Sequence, residues 1–262
     1  MNSLKYKKVF EEVVKLTTRD ETIKKYIQFI VLLGSVKYGE EVENYSDLDI
    51  LFILKSNNFG AIEKKVLDRL KKINEKLSKK NNIEISLLPH TIFDFREYVD
   101  FNYLIHYSWG KVVYGDHECF NKLFKEIIKE KYTDQKRKEL IYYNLIHARF
   151  NLFRKYLSWN ENNKDNYSLT ILKLFIDNII EICDWALVFK NIFKKNKKDI
   201  ANKFIEEYPN IKRRNIILKA LEIRYLWNTK KINEDEAFLF FRESLCLVEE
   251  IIEVIYEKYK KN

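Results

Sequence analysis

Two aspartates, Asp47 and Asp49, are separated by one leucine at the head of an apolar run, Ile50 to Leu54. Residues two apart in a strand project from the same side, so this spacing predicts two carboxylates side by side with Leu48 turned inward. Carboxylates that close repel each other unless a cation lies between them, and hard oxygen donors suit Mg2+ or Mn2+. Upstream, Gly34-Ser35 closes another apolar run, Phe29 to Leu33, and eleven residues separate Ser35 from Asp47. Glycine at such a turn lets the backbone approach a ligand closely. Ser35 is expected to accept bonds from the amides of Val36 to Glu41 while offering its hydroxyl outward. Free amides at a turn favour anions, phosphate above all. A third carboxylate, Glu84, sits between Ile83 and Ile85 in the run Ile83 to Leu88. Three acids on neighbouring strands, facing a turn that can hold phosphate, suit two-metal phosphoryl or nucleotidyl transfer.

Each piece also has a plainer reading. Gly34-Ser35 could be an ordinary strand-to-helix turn, Ser46-Asp47 a turn with Asp49 on an exposed edge, and Glu84 the partner of a lysine on the basic segment Glu63 to Lys80. The three coincide in order, which favours the site.

The elements that must position these groups follow from periodicity. Ser3 to Thr18 repeats apolar residues at helical spacing, with Tyr6, Val9, Phe10, Val13 and Val14 on one side. Ala61 to Lys80 reads as an amphipathic helix buried through Ile62, Val66, Leu70, Ile73 and Leu77. The Glu84 strand is expected to stop at Pro89, and Thr91 to Tyr107 to be helical. Lys111 to Tyr114 should be a strand and His117 to Lys131 a helix. Beyond Tyr132 the strand signals vanish. Helical segments are expected at about 134–159, 167–195, 197–207, 210–229 and 233–260, forming a bundle. The fold class is therefore α+β: an α/β domain with a small mixed sheet at 1–132, then an all-α domain at 133–262 that binds a substrate or partner.

Gly34-Ser35, then Asp47-Leu48-Asp49 leading a hydrophobic run, with Ile-Glu-Ile later, resembles the DNA polymerase β-like nucleotidyltransferase superfamily. Within it the chain looks most like the minimal and kanamycin-type nucleotidyltransferases, which carry a helical domain behind the catalytic one. Gly110 to Asp116 resembles the strand that commonly closes such domains. The resemblance implies a catalytic and metal-binding set of Asp47, Asp49 and Glu84 holding two Mg2+ or Mn2+ ions. It implies nucleotide binding by Gly34, Ser35, Lys37 and Ser46, and an NTP substrate, with ATP ahead of the others. The reaction would move NMP to a hydroxyl and release pyrophosphate. The acceptor implied first is a small hydroxylated molecule such as an aminoglycoside, bound between the domains. An RNA or tRNA 3′ end, a protein side chain as in toxin-antitoxin pairs, and a non-catalytic nucleotide-binding regulatory module are the alternatives. A homodimer with a shared pocket also fits the architecture. An Arg, four residues, then His, the mark of some RNases paired with such enzymes, is absent.

Composition bounds the rest. The chain has 262 residues, 46% of them hydrophobic, and two prolines, as expected of a folded protein with two domains. No long apolar span or signal-peptide pattern occurs, so a cytoplasmic protein without membrane attachment is expected. Cys119, Cys183 and Cys246 are scattered and read as free thiols. The four histidines form no zinc-like spacing. Net charge is +9, with +3 through Lys131 and +6 after it, and the lysine-rich, asparagine-rich composition accounts for this as well as a nucleic-acid partner does. Three features of the helical half could carry specificity. Asp177, Glu181 and Asp184 share one helix face, opposite a stripe of Phe175, Ile179, Ile182, Ala186 and Phe189, and form either an acidic wall or a solvated face. Lys190, Lys194, Lys195, Lys197, Lys198, Lys203, Lys212, Arg213 and Arg214 cluster about a turn near Phe193, Phe204 and Tyr208, either as an RNA patch or as a solvated turn. Tyr142, Tyr143, Phe150, Phe153, Tyr156 and Trp159 crowd one segment, as core or as a stacking surface.

Overall fold

The computed structural model describes residues 2–56, 60–157, 166–229 and 232–260. Trp159 lies outside them. The chain divides into two compact units, Met1–Tyr132 and Thr133–Asn262.

The first unit runs α1 (Asn2–Arg19), α2 (Glu21–Lys24), β1 (Ile27–Leu32), α3 (Gly34–Tyr38), β2 (Leu48–Leu54), α4 (Lys64–Asn81), β3 (Ile85–Thr91), α5 (Ile92–Glu97), α6 (Phe101–Ser108), β4 (Lys111–Tyr114) and α7 (His117–Lys131). Its sheet has the order β3-β2-β1-β4. β1 is antiparallel to β2 and β4, whereas β2 and β3 are parallel, and α4 supplies the crossover that a parallel pair requires. β2 is apolar at every position but Asp49 because helices cover both faces of the sheet. Leu48, Ile50, Phe52 and Leu54 join Tyr6, Val9, Val13, Val66, Leu70 and Leu77 in one core. Leu51 and Ile53 join Val31, Leu33, Phe95, Leu104, Phe120 and Phe124 in the other. By strand alternation Asp49 belongs to this second face, at the end where its apolar packing stops.

Two expectations are corrected. Pro89 does not stop β3, which pairs Pro89 with Phe52 and continues to Thr91. As an edge strand it can spare the missing amide. The stretch Thr91 to Tyr107 is two helices. A reciprocal capping box between Thr91 and Asp94 starts α5. Lys131 Nζ and Tyr132 Oη then donate to the Val99 carbonyl at 2.9 and 3.1 Å, pinning the break before α6.

The second unit is helical throughout the elements of its described residues: α8 (Asp134–Leu157), α9 (Asn166–Phe189), α10 (Lys197–Glu207), α11 (Ile216–Tyr225) and α12 (Glu234–Lys260). α9 packs against the other four. It is therefore buried nearly all round, through Ile171, Leu172 and Phe175 on one side and Ile180, Cys183 and Leu187 on another. The expected split of α9 into one apolar stripe and one acidic face is corrected at Asp184. Asp184 is buried, Asp177 and Glu181 are half-buried, and Arg224 is buried on the adjoining α11. The line of Lys173, Asp177 and Glu181 stays half-open to water, and only Asp184 of the three acids is buried.

The other two features separate in the same way. Lys190 and Lys203 bind Glu207, Arg213 binds Glu243 and Glu250, and Arg214 donates to the carbonyls of Pro209 and Ile211. Phe204 and Tyr208 are buried, so neither offers a stacking face. Tyr142 stacks on Tyr256 and Tyr259, and Tyr156 packs on Phe238, whereas Tyr143 and Phe150 are exposed. Among the described residues no helix is long and apolar enough to cross a membrane.

Candidate active site

β1 delivers the chain to the site. After Leu32 the backbone stays extended through Leu33, whose N–H donates to the Asp49 carbonyl at 3.0 Å. Gly34 then turns with φ +64° into α3. A side chain is excluded there twice over: the conformation is left-handed, and an added Cβ would collide with Asp49 Oδ2. The glycine backbone and the second aspartate are thus packed directly together.

Ser35 departs from expectation. It is buried, and α3 has no side-chain cap because Leu33 occupies the N-cap position. Ser35 lies within the first turn, where its hydroxyl is past the point at which a cap forms, and its carbonyl accepts from Glu40 N–H at 3.0 Å. Lys37 lies over the Tyr38 ring, with Nζ 3.2 Å from Tyr38 Oη. Ser46 is a buried anchor. Its Oγ accepts from Val42 N–H at 2.9 Å, and its carbonyl accepts from Tyr6 Oη at 2.8 Å, which fastens the loop before β2 to α1.

Asp47 and Glu84 each stand one residue outside a strand. Leu48 pairs with Ile85, and Leu48 N–H donates to the Glu84 carbonyl at 2.9 Å. Asp47 and Glu84 are thus neighbours in sequence of the paired residues Leu48 and Ile85, at the start of the two parallel strands. Glu84 is exposed, whereas Asp47 and Asp49 are half-buried. Among the described residues no three His, Cys, Asp or Glu side chains converge as a metal-ligand group. Asp47 and Asp49 are nevertheless half-buried carboxylates, the donor type that suits a hard divalent cation.

Two groups escaped sequence reasoning. Tyr107, on α6, has its phenol pushed up to about 12, chiefly by burial and then by Tyr103 and the Asp49 carboxylate. His90, on β3, packs its ring 5.9 Å from Tyr107 and 5.4 Å from Phe95. Burial holds its pKa below the usual value, while Asp94 pulls the other way. The spacing Tyr103-x-x-x-Tyr107 was the available signal, since it places both rings on one helix face.

Residues 16–109 match the family model described as a nucleotidyltransferase domain. This segment is a nucleotidyltransferase domain. The match is consistent with the DNA polymerase β-like superfamily, and it spans Gly34, Asp47, Asp49, Glu84 and Tyr107. It supports NMP transfer as the general chemistry of the nucleotidyltransferase domain. No curated protein matches the chain.

Proposed function

We propose that the protein transfers NMP from an NTP, ATP first, to a hydroxyl of a small acceptor and releases pyrophosphate. The observation that carries this reading is the packing of Gly34 against Asp49 within the matched segment. The backbone at Gly34 and Ser35 receives the triphosphate, with Lys37 toward its outer oxygens. Asp47 and Asp49 would hold Mg2+ or Mn2+, which when bound neutralises phosphate charge and lowers the pKa of a hydroxyl. Glu84, at the open rim, takes the proton from the acceptor hydroxyl as it attacks the α-phosphorus in line. The internal pairing of Lys190, Lys203 and Arg213 weighs against an RNA acceptor.

The test incubates the full chain with each α-labelled NTP and Mg2+ or Mn2+, with aminoglycosides, total tRNA and cell lysate as separate acceptors. Asp47→Asn and Asp49→Asn are expected to lower labelling on the order of a hundredfold or more while melting as the parent does. Full labelling by either variant would sink the assignment. Nucleotide binding without labelling of any acceptor would favour the regulatory module.

A further inference from the structure

Charge is divided unevenly within the first unit. Residues 2–25 and 63–81, the stretches that form α1, α2 and α4, carry 15 basic and 7 acidic side chains, or +8. Residues 26–62 and 82–131 carry 8 basic and 13 acidic, or −5. The positive share lies in one layer, because α1 and α4 pack together over the core that holds Leu48 and Ile50, on the sheet face opposite Asp49. Lys8, Lys15 and Arg19 follow at seven and four residues on α1, and Lys72, Lys76 and Lys79 at four and three on α4, so each trio shares a helix face. All six are exposed, and among the described residues none of them forms an ion pair. Glu12, Asp20 and Glu75 are already answered by Lys80, Arg69 and Lys71.

We propose that this layer docks the protein on an anionic lipid surface. The apolar sides of both helices are buried against the sheet, so the contact is electrostatic and needs no inserted segment. It is peripheral, and thus compatible with the lack of a membrane-crossing helix among the described residues. The arrangement favours lipid over nucleic acid on two counts. Tyr6 and Phe10, the rings of these two helices, are buried and offer no base a stacking face. A strand held on this layer would also lie across the sheet from Asp49. A lipid plane needs charge alone, and it repels the acidic remainder of the unit, which turns Asp49 away from the membrane.

Co-sedimentation of the full chain with vesicles tests this, using phosphatidylcholine alone and phosphatidylcholine mixed equally with phosphatidylglycerol. The parent is expected to bind the anionic vesicles and not the neutral ones, and to be released as salt is raised. Reversing Lys72, Lys76 and Lys79 to Glu should weaken binding about tenfold or more, and Lys8→Glu with Lys15→Glu should weaken it as well. Reversing Lys122, Lys125 and Lys129 of α7 changes net charge as much as the α4 triple does, and should leave binding near the parent's. Circular dichroism checks that each variant keeps its helices. A parent that ignores anionic vesicles, equal binding to neutral ones, or equal loss from the α7 reversal would each overturn the proposal. Retention of total tRNA through the same lysines, without vesicle binding, would give the layer to nucleic acid instead.

Discussion

Gly34 is constrained on two counts, because its backbone conformation and its neighbour Asp49 both forbid a side chain. Gly34→Ala is expected to cost about 1–2 kcal/mol from the left-handed conformation alone. It should also displace the Asp49 carboxylate, so turnover should fall much further than stability does. Denaturant melts and labelling assays on one preparation separate the two effects, and an alanine variant with parental turnover would show that this packing is dispensable. His90 makes a separate prediction. Its folded pKa is lowered, so below about pH 6.5 the unfolded chain takes up a proton that the folded chain resists. Stability contributed at neutral pH is therefore lost as pH falls. Melts between about pH 7 and 5 should show a steeper loss for the parent than for His90→Gln.

At the scale of elements, β2 is covered on both faces and α9 packs against four helices, and each carries charge into that setting. β2 places its single charge, Asp49, at the end of the strand, where the apolar layer stops. α9 instead carries Asp184 into the bundle, beside a helix that bears the buried Arg224. Where a buried guanidinium answers a buried acid, removing it leaves that carboxylate uncompensated in apolar surroundings. Arg224→Met is expected to destabilise the chain by about 3–5 kcal/mol, measured by urea unfolding. A change below about 1 kcal/mol would show that the guanidinium is not answered by an acid.

At the scale of the molecule, the net charge of +9 is not by itself the mark of a nucleic-acid surface. Several of the clustered cations of the second unit are engaged by Glu207, Glu243 and Glu250.

The strand, turn, strand, helix, strand order and the spacing of Gly34, Asp47, Asp49 and Glu84 were legible in the sequence. Local periodicity and glycine placement encode them within a few tens of residues. The burial of Ser35 and Ser46, the approach of Tyr107 to Asp49 and the enclosure of α9 were not. Each depends on which distant element packs against the residue. Tertiary structure alone decided which aromatic residues of α8 entered the core and which remained outside, because rings on adjacent helix faces differ only in what lies opposite them.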